Sequence, residues 1–261
     1  MTLNYTLKGH GAPVLLLHPV GSSLSFMEPL ADLLSQHHQV MSMDLRGHGQ
    51  SPRLSVDDEQ LMDLDDFAKD VHETLMHSQF APCAVVGFSF GGMIAQSLAY
   101  SYPQDVSALI PCACPCTLSD ELRIITAKRG TDAKHHGMGA IIEATMERWF
   151  TPAFRAGKGH LAIQEHLLSA HPGGWVHGWN AISKIHQLPR LPHIKQPTLC
   201  IAGEVDLSSP IDVVGQIANN IPQAKLEVVA GAPHMLFIEQ PQKVFELIHA
   251  FLAGDAYKAP A

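Results

Sequence analysis

Six short runs along the chain are almost continuously apolar, and they limit its fold more than any other feature. They are VLLLHP (Val14–Pro19), VMSMD (Val40–Asp44), CAVVGFS (Cys83–Ser89), VSALIPC (Val106–Cys112), TLCIAG (Thr198–Gly203) and LEVVAG (Leu226–Gly231). A strand with one wet face alternates apolar and polar residues. A run without alternation is buried on both faces, as in a parallel sheet covered by helices on each side. The intervening segments carry helical stripes: Leu64, Ala68, Val71 and Leu75 share one face, and Val244, Leu247, Ile248 and Phe251 another. This alternation predicts an α/β fold, a mostly parallel doubly wound sheet with right-handed crossovers. Met1–Gly11 reads as a short strand and turn, without the apolar core of a secretory leader.

One interval breaks the rhythm. From Thr117 to Gln196 no strand is evident, and helices are expected over Glu121–Arg129, Met138–Phe150, Ala153–Ala170 and Trp175–Ile185. The chain therefore divides into a core of residues 1–116 and 197–261 and a helical cap of residues 117–196, inserted before the last two strands. An insertion of this size belongs over the carboxyl edge of the sheet, where open α/β sheets bind ligands. The tail GDAYKAPA (Gly254–Ala261) is expected to fray.

Composition narrows the partners. Lys and Arg number 17 against 25 Asp and Glu, a net charge of −8 with no basic block, so neither nucleic acid nor an anionic membrane surface is expected. Thr74–Gln104 is uncharged, but Pro82, Gly87, Gly91 and Gly92 interrupt it. It reads as a buried strand and helix rather than a bilayer span. Five cysteines without disulfide-scaffold spacing fit a reducing, cytoplasmic setting. Cys112, Cys114 and Cys116 (CACPC) read as a buried strand end, since zinc needs about four ligands and no partner spacing stands nearby. His135, His136, His160, His166, His171 and His177 form no His-x-x-x-His pair and read as surface or packing residues. No metal or cofactor is expected, and the partner is a small molecule.

The chemistry centres on VVGFSFGGM (Val85–Met93), where Gly87 and Gly91 fence Ser89 directly after an apolar run. That spacing belongs to a sharp strand-to-helix turn with the middle residue held at its tip. A serine hydroxyl is a poor nucleophile near neutral pH and needs a base with an orienting acid. Asp206 follows the strand TLCIAG, and His234 follows the next, in GAPHM. The order Ser89, Asp206, His234 suits a triad in which His234 takes the serine proton and Asp206 fixes the imidazole. Glu204 is a stand-in only if the turn is built differently. The oxyanion of acyl transfer needs N–H donors. Phe90, immediately after the nucleophile, supplies one at a helix start, and Val20 in HPVGSS supplies the other. His18 is read as bracing that loop.

Together these residues resemble the α/β-hydrolase family over essentially the whole chain. DLRGHGQS (Asp44–Ser51) is similar to the family's D-x-R-G-H-G-x-S turn, which shapes the sheet edge; HPVG departs from the commoner His-Gly opening of the oxyanion loop. Serine at position 89, where the haloalkane dehalogenases of this fold carry aspartate, argues against an alkyl-enzyme ester. RWFTPAF (Arg148–Phe154) looks like a segment of 3-oxoadipate enol-lactonases, while GFSFGG departs from their Ser-Leu-Gly-Gly form. The resemblance implies a cofactor-free serine esterase or lactonase; Trp149 and Phe150 are candidates for lining the pocket, with packing inside the cap as the alternative, and Arg148 is read as a solvated helix arginine rather than one that meets a substrate carboxylate. Two alternatives stay open: carbon–carbon bond hydrolysis on the same triad, and a non-enzymatic small-ligand receptor. The sequence leaves the oligomeric state open.

Overall fold

A computed structural model describes residues 1–254 of the chain. Seven strands form one sheet: β1 (Tyr5–Lys8), β2 (Pro13–Leu17), β3 (Gln39–Met43), β4 (Cys83–Phe88), β5 (Val106–Cys112), β6 (Leu199–Gly203) and β7 (Lys225–Val229). Their order is β1-β3-β2-β4-β5-β6-β7; β1 pairs antiparallel with β3, and every other neighbouring pair is parallel. The six apolar runs are β2 to β7, shifted by at most a residue or two at their ends. Every residue of β4 and β6 is buried, as two-sided covering requires. The edge strand β7 differs: only Val229 is buried, because one flank has no strand beside it.

The helices are α1 (Glu28–Leu34), α2 (Leu64–Ser78), α3 (Phe90–Ser101), α4 (Asp120–His136), α5 (Ile142–Trp149), α6 (Pro152–Ala156), α7 (Leu161–Ser169), α8 (Pro172–Ser183), α9 (Ile211–Asn220), α10 (Leu236–Glu239) and α11 (Pro241–Ala253). Leu64, Ala68, Val71 and Leu75 face the core from α2, as their spacing requires. That helix opens on a capping box, in which Asp63 accepts from the N–H groups of Asp65 and Asp66. The first ten residues of α3 are all buried, so it runs through the interior.

Helices α4 to α8 all fall between β5 and β6. The single helix expected over Ala153–Ala170 is two: Lys158 adopts a φ of 62°, which no right-handed helix continues through, so α6 ends and α7 starts afresh. Polar ties join the inserted helices to one another and to the core. Arg123 donates to the carbonyls of Ser183 (2.9 Å) and Ile185 (2.7 Å), joining α4 to the end of α8. His177 is buried: its Nδ1 accepts from Met62 N–H (3.2 Å) and its Nε2–H donates to Ser55 O (2.9 Å). Arg190 meets Asp65 of α2 through two bonds of 2.6 and 2.8 Å.

All five cysteines are reduced and buried, with Cys112 ending β5 and Cys114 and Cys116 just beyond it. Burial raises their thiols, to about 12 at Cys200 and about 11 at Cys116. Among the described residues no helix is long and apolar enough to cross a membrane. Apart from Gly254, the tail GDAYKAPA lies outside the described residues.

Candidate active site

The chain leaves β2 on one flank to form β3 and returns to the other flank as β4, so β2 and β4 are parallel neighbours, with Leu17 beside Gly87. Loops leaving the carboxyl ends of two such strands diverge and open a crevice. The His18–Gly21 loop and Ser89 stand on either side of it.

Ser89 has φ 51° and ψ −113°, outside the regions open to ordinary residues. The strain is held by packing. Ser89 N–H donates to Cys112 O (2.8 Å), and a Cβ on Gly91 would lie 2.3 Å from Leu17 O. A Cβ on Gly87 would lie 2.3 Å from Gly91 O, so both glycines are required for the turn to close. Ser89 makes no side-chain capping bond to α3, which leaves its hydroxyl for other partners.

That partner is His234. Ser89 Oγ lies 2.9 Å from His234 Nε2, and His234 Nδ1 lies 2.9 Å from Asp206 Oδ2. The carboxylate accepts at Nδ1–H, which leaves Nε2 free to accept from the hydroxyl. Oδ1 of Asp206 is occupied by the N–H groups of Ser208 (2.7 Å) and Ser209 (3.0 Å), so the aspartate is clamped by its own turn. Ser89, Asp206 and His234 are all buried. Glu204 does not substitute: its carboxylate accepts from Gly231 N–H (2.7 Å), and His234 Nδ1 bonds Asp206 instead.

The loop after β2 is braced by His18, which is fully buried. Its Nδ1–H donates to Pro19 O (2.7 Å) and its Nε2 accepts from Leu45 N–H (3.0 Å). These partners fit only the neutral ring, and burial lowers its pKa to about 4. His48 packs edge-on against it at 5.1 Å and is lowered to about 3 by burial. Asp44 ties the neighbouring turn by accepting from the N–H groups of Leu24 (2.8 Å) and Gln50 (2.9 Å). Val20 and Phe90 are both buried, Val20 lining the cavity beside Ser89 and Phe90 beginning α3, whose first N–H groups lack intrahelical partners.

A cavity of about 90 Å³ adjoins Ser89 and His234. Val20 and Met93 line it from the core, while Thr126, Arg129, Trp149 and Trp179 line it from the inserted helices. It is far smaller than the roughly 300–1,000 Å³ typical of small-molecule pockets.

Trp149 lines this cavity, its ring 6.5 Å from that of His234. Phe150 is a correction: it is not among the lining residues. The backbone turns extended at Phe150 (φ −127°, ψ 149°) where α5 ends, and the ring stacks on Phe154 at 5.2 Å instead. Arg148 is also corrected: it is half-buried rather than solvated, its Nε has no partner, and it lies beside a second cavity. Arg129 and Trp179 escaped the sequence reading. Their helices show no strong apolar stripe, and nothing local marks which face meets Ser89.

The alpha/beta hydrolase family model matches residues 10–247. The chain belongs to the alpha/beta hydrolase family. It is 26% identical over 259 residues to 3-oxoadipate enol-lactonase 2 of Acinetobacter baylyi, covering 97% of this chain and 93% of that one. It is 25% identical over 253 residues to the (E)-2-((N-methylformamido)methylene)succinate hydrolase of the same organism, covering 96% and 94%. The enol-lactonase of Burkholderia xenovorans superposes with a TM-score of 0.87 at 24% identity over 97% of this chain and 96% of that one, a likeness of fold.

Proposed function

We propose that the protein hydrolyses a carboxylic ester or lactone by nucleophilic catalysis at Ser89. The observation that carries this reading is the unbroken hydrogen-bonded line from Ser89 Oγ through His234 to Asp206, with both links at 2.9 Å. Ser89 Oγ attacks the acyl carbon while its proton passes to His234 Nε2. Asp206 holds the tautomer and stabilises the imidazolium that forms. The N–H groups of Phe90 and Val20 receive the oxyanion, each worth about 3–4 kcal/mol in reactions of this kind. Collapse of the tetrahedral intermediate expels the alkoxide or enolate, which takes the proton from Nε2, and the acyl group stays on Ser89. Water, deprotonated by His234, then attacks the acyl-enzyme and releases the acid and the free serine.

Likeness to an enol-lactonase along nearly the whole chain supports a lactone among the substrates. The test is initial rates on 3-oxoadipate enol-lactone and on a short-chain aryl ester, with Ser89→Ala beside the parent. Turnover of either that vanishes in the variant, with the melting temperature kept, is the expected result. A fully active Ser89→Ala enzyme overturns the proposal.

A further inference from the structure

Arg129 is the one Lys, Arg, Asp or Glu among the described residues lining the cavity beside Ser89. A half-buried guanidinium ordinarily meets a carboxylate or a set of carbonyls. Among the described residues Arg129 has neither. Its one close side-chain partner is Trp179, whose ring lies 4.6 Å beneath the guanidinium carbon. Asp132, on the same helix, is held by Lys128 at 2.6 Å, and Glu147 pairs with Arg155 at 3.9 Å. Trp179 is itself buried, and its Nε1–H has no acceptor.

The surroundings add positive charge. Arg129 also lines the second cavity, of about 230 Å³, where Arg148 stands with a buried, unpartnered Nε. Burial and the neighbouring Arg148 lower the Arg129 pKa to about 10, so it keeps its charge at neutral pH. In a chain of net charge −8, Arg129 carries a positive charge beside the nucleophile, and Asp132, which also lines the second cavity, is held by Lys128.

We infer that Arg129 is a specificity-determining residue that binds a free carboxylate of the substrate, so that the preferred esters or lactones are acidic ones. The inference rests on the ester or lactone reading for the bond cleaved. The guanidinium offers a planar pair of N–H donors, the geometry that a carboxylate accepts in bidentate fashion. The Trp179 ring beneath it, 4.6 Å from the guanidinium carbon, holds the cation by a cation–π contact.

The test separates recognition from chemistry. Monomethyl and dimethyl esters of succinic, glutaric and adipic acids are titrated calorimetrically into Ser89→Ala at pH 7.5 and low salt. At least one monoester is expected to bind about 10- to 100-fold more tightly than its own diester, as a charge-assisted bidentate contact implies. In Ser89→Ala/Arg129→Met that gap closes, and Arg129→Lys in the same background keeps part of it. Added salt narrows it in the parent background. The inference is overturned if no monoester is preferred, or if the preference survives Arg129→Met. It is also overturned if Arg129→Met weakens monoester and diester alike, since Arg129 would then only shape the cavity. Wild-type turnover of the same compounds answers the other question. A carboxylate preference without turnover sinks the hydrolase reading alone, and equal turnover of acidic and neutral esters sinks this one alone.

Discussion

Asp206→Asn replaces one oxygen by an NH₂ group in a side chain that water does not reach. Oδ1 already serves two backbone donors, at 2.7 and 3.0 Å, so the amide keeps its oxygen there. The new NH₂ takes the place of Oδ2, facing His234 Nδ1 across 2.9 Å. Two donors cannot share that gap. The ring proton moves to Nε2, which faces Ser89 Oγ and can no longer accept its proton. Loss of the right tautomer and of imidazolium stabilisation costs roughly 10⁴ in kcat in enzymes built this way, or about 5 kcal/mol of barrier. The fold is affected little, because the turn's bonds to Ser208 and Ser209 persist; the melting temperature should fall by less than about 5 °C. The assay is kcat on an aryl ester at pH 8 beside a thermal melt. A kcat within about tenfold of the parent, in a protein that melts normally, would refute the claim that Asp206 orients His234.

Two further outcomes test the framework around the site. The pKa of His18 falls from an unfolded value near 6.5 to about 4 in the fold, so between these values the unfolded chain binds more protons and stability falls as the pH is lowered. From pH 6.5 to 5 the loss from this group is about 2 kcal/mol. In His18→Gln, urea denaturation at the two pH values should show that much less acid sensitivity; an unchanged difference between them would contradict the assignment. Gly91→Ala places a Cβ 2.3 Å from Leu17 O, which must push α3 off β2, and we expect a loss of about 3 kcal/mol in urea denaturation. A variant as stable as the parent would mean that the elbow has slack.

Most of the sheet was legible in the sequence because strands buried on both faces leave continuous apolar runs, and β2 to β6 do so. β7 carried the same signal for a different reason: its exposed Val228, at 41% of its full surface, sits on an edge. Ser89 was legible because its turn admits only glycine at positions 87 and 91, and His234 and Asp206 because each follows a strand directly. The inserted helices were harder. Where a helix touches both solvent and a cavity, its pattern does not say which apolar or basic residue faces which. Phe150 was therefore placed one position too far along a helix that ends at Trp149. Arg129 lies on α4, which has several exposed apolar residues, Ile124 among them at 74%, and so offers no clean stripe.

The two ends of the inserted segment meet. Thr117 and His186 form an antiparallel bridge, and Gln187 N–H donates to Cys116 O at 2.8 Å. The elbow and the turns carrying Asp206 and His234 all lie outside that clasp. The segment between leaves and rejoins the core at neighbouring positions, and Trp149 O within it accepts from the N–H of Met235 (3.0 Å), beside His234. A different helical segment spliced at 117 and 186 would need few residues to close the chain, but it would have to replace the acceptor that Trp149 O gives the turn carrying His234.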